Sequence, residues 1–421
     1  MASRDYTSMA ENMGRRARVA SRALAAATAD LRNRALLAMA DRLRTQRQAI
    51  KDENAADVVA ARSAALPPAM IDRLTLDDQR IEAMARGAEE IARQGDPVGE
   101  IIESSVRPNG LLLQRVRVPI GVILIIYESR PNVTVDAAAL CLKSGNACIL
   151  RTGKEAVRSS LALARVIDAA LESVGLPRDA VQVVEKSDHE LVDALLVQDK
   201  WIDLVIPRGG ERLIRAVVET STIPVIKHYK GVCHVYIDEF ADPAKAKEIA
   251  INAKCQRPGV CNAMECLLVH RSQAGAYLAG LLRELAVHGV EIRGCERARK
   301  AFPAARAAAE NDWGAEYLDL ILAVRVVDTI EEAIDHIARF GSAHTDAIVT
   351  EDAARAEQFV REVDSSSVMV NASTRFSDGG EYGLGAEVGI STGKLHARGP
   401  MGVRDLTTYK YVVRGQGQVR T

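Results

Sequence analysis

From Gly121 onward the chain repeats one texture, in which the short apolar runs GVILIIY, ACILR, VQVVE, WIDLVIP and IPVIK carry no polar alternation. Ala-rich helical stretches of about ten to twenty residues separate them. A strand that is apolar at every position is buried on both faces, and helices packed between such strands are what bury it. The texture therefore predicts βαβ units and a parallel sheet. After Gly231 the pattern restarts with CHVYID, MECLLVH, DLILAVRVVD, DAIVT and SSVMVN, with helical segments such as Asp242 to Ala253 and Ile330 to Phe340 between them. A second α/β domain follows, since 421 residues exceed what one hydrophobic core ordinarily holds.

The first hundred residues read differently. Leu36, Met39, Ala40 and Leu43 recur at helical spacing with charges opposite, Pro67 and Pro68 interrupt, and a second amphipathic helix runs through Ile81, Met84 and Ile91. Next, IIESSVR and LLLQRVRV flank the turn-forming Pro108, Asn109 and Gly110, which predicts a β-hairpin with the polarity of a ribbon rather than of a core. The late segment TTYKYVVRG is β-prone but has no evident partner. No internal repeat stands out.

Charge excludes one class of function. The 55 basic residues are interleaved with 56 acidic ones for a net charge of -1, so no basic face for nucleic acid is expected. No apolar stretch approaches the roughly 18 residues of a membrane span, and the opening MASRDYTSMAENMGRR has no signal-peptide core, so a cytoplasmic protein without membrane contact is expected. Seven cysteines, an odd number spread irregularly, read as free thiols. Cys255, Cys261 and Cys266 are spaced too widely for the short pairs of structural zinc sites, and no metal is expected.

A parallel α/β sheet suggests a nucleotide, yet no glycine fingerprint and no phosphate-binding loop is present. Gly383, Gly385 and Gly389 are one residue off that spacing and do not join a strand to a helix. In AKCQRPGVCNAMECLLVH, Cys261 occupies a Pro/Gly-bearing loop just before a buried strand, where a scaffold would present a nucleophile. A packed, inert thiol is the commoner reading from the residues alone.

Four stretches together change that balance: VPIGVILIIYESRPNVTVDAAALCLKSGNACILRTGKEA, PRGGERLI, the Cys261 segment, and NASTRFSDGGEYGLGAEVGISTGKLHARGPMG. From about Arg115 onward the chain resembles the glutamate 5-semialdehyde dehydrogenase family of the aldehyde dehydrogenase superfamily. The resemblance implies two parallel-sheet α/β domains plus a small β oligomerisation element, with a cofactor domain that dispenses with the usual glycine fingerprint. Residues 1–98 and 120–232 would bind NADP(H), 233–375 would carry the nucleophile, and 99–119 with 395–421 would join copies into a homo-oligomer. The implied activity is NADPH-dependent reduction of L-glutamyl 5-phosphate to L-glutamate 5-semialdehyde and phosphate, in proline biosynthesis, through a Cys261 thioester. Glutamate 5-kinase would supply the acyl phosphate and is the implied partner.

By the same resemblance Cys261 is the nucleophile, Lys154 meets the adenosine ribose, Glu316 holds the nicotinamide ribose, and Gly209 and Gly210 meet the pyrophosphate. Asn132 lies near the place of the oxyanion-stabilising asparagine. Each has a plainer alternative: a solvated charge at Glu316, an ordinary strand-to-helix turn at Gly209 and Gly210, and a helix N-cap at Asn132. Arg257, four residues before the thiol, would lower its pKa or hold the departing phosphate, or is a surface arginine. Ser373, Thr374 and Arg375, on a loop, are candidates for the substrate's amino-acid end. The informative departure is His228, which stands where hydrolytic aldehyde dehydrogenases have the glutamate that activates water. An enzyme whose acyl group comes and goes as phosphate has to avoid that hydrolysis, so the loss argues for an acyl phosphate. Oxidation of a small aldehyde with coenzyme A or phosphate as acceptor is the alternative activity, and a catalytically silent binding protein would be expected to lose Cys261.

Overall fold

The computed structural model describes residues 2–186 and 188–420, so Met1 and Thr421, at the ends of the expected cofactor and oligomerisation spans, lie outside the described residues. The chain forms two units, one from residues 1–227, 383–389 and 401–421 and the other from 228–382 and 390–400. The second unit thus starts at His228 and takes in residues beyond 375, and the expected oligomerisation hairpin belongs to the first.

In the first unit, Thr28 caps the helix Ala29–Thr45 by accepting the Leu31 N–H, and Leu36, Met39, Ala40 and Leu43 form its buried face. The preceding break at Pro67 also serves as a start, because Pro68 opens the next helix, Pro68–Leu74, where its missing N–H costs nothing. Strands β1 (Ile101–Val106) and β2 (Leu112–Pro119) form the expected hairpin, whose turn places Gly110 at φ 85°. The tail strand Thr407–Arg414 then pairs antiparallel along the whole of β2. Strands β3 (Val122–Tyr127), β4 (Ala147–Arg151), β5 (Val181–Val183) and β6 (Leu204–Arg208) make a parallel sheet in the order β5-β4-β3-β6. The predicted strand IPVIK does not form: it contributes only the bridge Val205↔Val225. Pro224, lacking an N–H, can accept from Val205 but cannot carry a ladder onward. Chain order reverses on either side of β3, and in such sheets the crevice at the strands' carboxyl ends is where ligands bind.

The second unit is built on β7 (Cys233–Ile237), β8 (Met264–His270), β9 (Glu291–Gly294), β10 (Arg306–Ala307), β11 (Ile321–Val327), β12 (Thr345–Val349) and β13 (Ser367–Val370), all parallel in the order β10-β9-β11-β8-β7-β12-β13. Alternate residues of β7 and β8 serve opposite cores. Val235, Ile237, Leu267 and Val269 pack with Leu282 and Leu285 on one face, while Tyr236 and Leu268 pack with Ile337 and Phe359 on the other. Truncating any one of these leucines to alanine costs about 2–5 kcal/mol. The second core also encloses His336. Its Nδ1 faces Arg325, which can only donate, so Nε2 carries the proton and points at the Cys266 sulfur, 3.6 Å away.

Candidate active site

Helix Pro243–Cys255, capped by Asp242, ends one residue before the loop that carries Cys261, and β8 begins three residues after it. Pro258 denies the helix an N–H with which to continue. The two shoulders of the loop are tied by Lys254 and Glu265, both wholly buried, with Nζ 2.6 Å from the carboxylate. Burial pulls Lys254 down and pushes Glu265 up to about 7, so desolvation works against a pair that its own hydrogen bond holds together. The other oxygen of Glu265 accepts the Leu318 N–H at 3.2 Å, which anchors the segment bearing Glu316.

The backbone of Cys261 is gripped from two directions. A β-carbon on Gly231 would lie 1.9 Å from the Cys261 carbonyl oxygen, so only glycine permits this approach. Glu316 in turn accepts the Gly231 N–H at 2.8 Å. The Cys233 thiol donates to the same Cys261 carbonyl at 3.2 Å. Burial, then Asp346 and Cys261, push Cys233 well above the ordinary thiol range, so it keeps the proton it donates. The Cys261 side chain is left half-buried.

Two imidazoles flank that side chain. One ring nitrogen of His228, one of His344 and the Cys261 sulfur all lie within 4.8 Å of one another. Nδ1 of His228 is 2.8 Å from the Ile390 carbonyl, which can only accept, so Nδ1 carries hydrogen and Nε2 is the nitrogen left for other partners. His344 is fully buried, with Nδ1 2.9 Å from the Thr345 hydroxyl. The same atoms offer two nitrogens and a sulfur to a soft cation, but the surrounding charge is wrong for a dication. Burial and then Arg257 push the Arg375 guanidinium below its ordinary value, while the Cys261 and Cys233 thiols and Asp378 act on it in the opposite sense. The Arg375 guanidinium is thus close enough to the Cys261 sulfur for the two to interact electrostatically.

The remaining expected residues of this unit divide. Arg375 donates from Nε to Gln256 at 2.8 Å, and Arg257 is exposed. Ser373 is spent on the turn it caps, accepting the Arg375 N–H. Thr374 is buried, and its hydroxyl has no partner among the described residues. Asn132, Lys154, Gly209 and Gly210 belong to the first unit. Asn132 is the first residue of helix Asn132–Lys143 rather than its N-cap, which is Pro131. Its amide donates to Asp136 at 3.0 Å, and burial pushes that carboxyl up to about 6. Lys154 is exposed and opens a short turn after β4 whose last residue, Ala156, is buried. Gly209 and Gly210 join β6 to helix Glu211–Thr220 at the sheet's switch point. A β-carbon on Gly209 would come within 2.7 Å of Glu128 and of Leu213, and the Gly210 N–H already binds a carboxylate oxygen of Glu128 at 3.0 Å. This helix start accepts an anionic oxygen through its backbone, which is the requirement a pyrophosphate would impose.

Sequence reasoning missed His344, Cys233 and the role of Gly231. A lone histidine before a strand carries no signal of its own, and only the pairing of β12 with β7 brings it to the thiol.

Two parallel sheets and a thiol presented on a loop before a strand define the class, and the sequence pattern of the aldehyde dehydrogenase family matches residues 3–291. The chain belongs to that family, and a nicotinamide cofactor goes with it. Within it the chain is similar to the gamma-glutamyl phosphate reductase of Desulfatibacillum aliphaticivorans, 54% identical over 97% of this chain and 98% of the relative. That of Moorella thermoacetica is 55% identical over the same shares. The crystal structure of the gamma-glutamyl phosphate reductase of Thermotoga maritima superposes with a TM-score of 0.95 at 46% identity, covering 97% of this chain and 99% of that one.

Proposed function

We propose that this chain reduces L-glutamyl 5-phosphate to L-glutamate 5-semialdehyde and phosphate, the reductive step of proline biosynthesis, with NADPH as reductant. The observation that carries the reading is the half-buried Cys261 held by its backbone between Gly231 and Cys233, beside positive charge, in a chain so similar to gamma-glutamyl phosphate reductases. The Cys261 sulfur attacks the 5-acyl carbon, the C–O bond to phosphate breaks, and a thioester forms. A nicotinamide cofactor, when bound, supplies the hydride that this thioester accepts. Collapse of the resulting hemithioacetal releases the aldehyde and returns the thiolate.

In this reading Lys154, Gly209 and Gly210 hold the cofactor's adenosine and pyrophosphate portion, and Glu316 its nicotinamide ribose, for which it would exchange the Gly231 N–H. Asn132 steadies the oxyanion with the hydrogen its amide does not give to Asp136. Arg257 and Arg375 receive phosphate and the substrate's carboxylate, with Ser373 and Thr374 beside them. The protein works in the cytoplasm, next to a glutamate 5-kinase that makes its labile substrate, and the free state of all seven cysteines suits a reducing compartment. No described helix is long and apolar enough to cross a membrane.

The test is reduction of NADP by glutamate 5-semialdehyde in the reverse direction, with and without phosphate. Phosphate-dependent activity that vanishes in a folded Cys261→Ala variant is the expected result, and oxidation without phosphate would move the assignment to an ordinary aldehyde dehydrogenase. In the same assay Arg375→Ala is expected to raise KM with little change in kcat.

A further inference from the structure

We propose that His228 and His344 are catalytic, an imidazole pair that takes the proton from the Cys261 thiol and delivers it to the departing phosphate. The inference rests on the acyl-phosphate reading above for the second half of that transfer, but not for the first.

Proton balance demands such a group. An acyl phosphate dianion and a thiol become a thioester and hydrogen phosphate: the S–H and C–O bonds break, the S–C and O–H bonds form, and no net proton is released. Phosphate expelled without that proton would leave as the trianion, a far poorer leaving group at neutral pH. Hydride then adds to the thioester, the C–S bond breaks, and the thiolate takes one proton from solvent through the same imidazoles. The two electrons come from the reduced nicotinamide, and one proton is consumed per turnover.

The structure supplies the carrier. Both rings lie within 4.8 Å of the sulfur, at the distance from which a catalytic hydrogen bond tightens on substrate binding. His228 is oriented by the Ile390 carbonyl in the way a nucleophile's base is oriented by a third group, with Nε2 as the basic nitrogen. The rings meet edge to face with centroids 5.4 Å apart, so the two imidazoles and the thiol form one cluster. The charged or titratable groups around them include Cys233 against His344, Asp346 acting on Cys233, Glu316 on Gly231, Tyr229 and Lys230 following His228, and Arg257, Arg375 and Asp378. Each carboxylate among them already accepts hydrogen bonds: Glu316 from Gly231, Asp346 from His234 and Ser365, and Asp378 from Gly380. This also gives His228 a task in place of the water activation that its position performs elsewhere.

The experiment is alkylation of Cys261 by iodoacetamide in the full chain, followed at that cysteine by peptide mass spectrometry from pH 6 to 10. It needs neither substrate nor cofactor. His228→Gln and His344→Gln are each expected to slow alkylation at pH 7 by about tenfold or more, with all rates converging at pH 10, where the thiol ionises unaided. Because His344 is buried, His228→Ala with added imidazole serves as a second measure, and recovery of the pH 7 rate is expected. An unchanged pH 7 rate in either Gln variant, or a deficit that persists at pH 10, overturns the proposal. If alkylation responds as expected but the natural chain shows no phosphate-dependent turnover, the thiol–imidazole relation stands and the acyl-phosphate reading falls.

Discussion

A β-carbon on residue 231 has nowhere to go. It would overlap the Cys261 carbonyl, and the strand that follows Gly231 cannot retreat, because β7 lies between β8 and β12 in the middle of the sheet. The nucleophile loop has to give way instead. Gly231→Ala is therefore expected to lower kcat by about a hundredfold, the effect of displacing a reacting group by about 1 Å, while the unfolding midpoint moves little. Steady-state kinetics and thermal unfolding of the one variant check both halves. At this scale legibility was uneven. Cys261 was read from its segment and the resemblance, but its surroundings were not, because Gly231, Cys233 and His344 reach it through strand pairing that leaves no local mark.

Among the elements, the three-stranded sheet combines open edges with exposed apolar side chains. Its tail strand exposes Tyr409, Tyr411 and Val413 on one side, with Tyr409 under the Arg115 guanidinium at 4.0 Å. Its outer edge and that of β1 offer unpaired backbone groups, a template for another strand. We expect a second copy to cover it. Tyr411→Lys together with Val413→Lys should reduce the particle mass seen by sedimentation while leaving the circular dichroism unchanged; an unaltered mass would place the interface elsewhere. The hairpin itself was legible from its Pro-Asn-Gly turn. The tail strand was legible as a β-prone segment but its pairing was not, since its partner β2 lies far back in the sequence, and β9, four residues with alternating polarity, is too short to announce itself. IPVIK misled for the opposite reason: an apolar run looks like a strand whether or not a proline removes its ladder.

For the molecule as a whole, stability depends on pH through groups that folding buries. Burial depresses His336 to about 2, so it is neutral when folded, whereas the unfolded chain binds a proton below about 6.5. Its contribution is present above that value and is lost as pH falls, by about 1.4 kcal/mol per pH unit. Asp136 and Glu265, raised to about 6 and about 7, act in the other sense, favouring the folded state as pH falls toward the ordinary carboxylate range. The His336 share is isolated by comparison: His336→Gln, which still offers Arg325 an acceptor, should flatten the loss of denaturant stability between pH 6.5 and 5 relative to the natural chain. Equal slopes would mean that the ring is reached by a proton without unfolding. The division of the chain has a different consequence. The first unit borrows its last strand from residues that follow the second, so as the polypeptide emerges from the ribosome the second unit's sheet can close before the first unit's three-stranded sheet does. The unit that is begun first is the last to be completed.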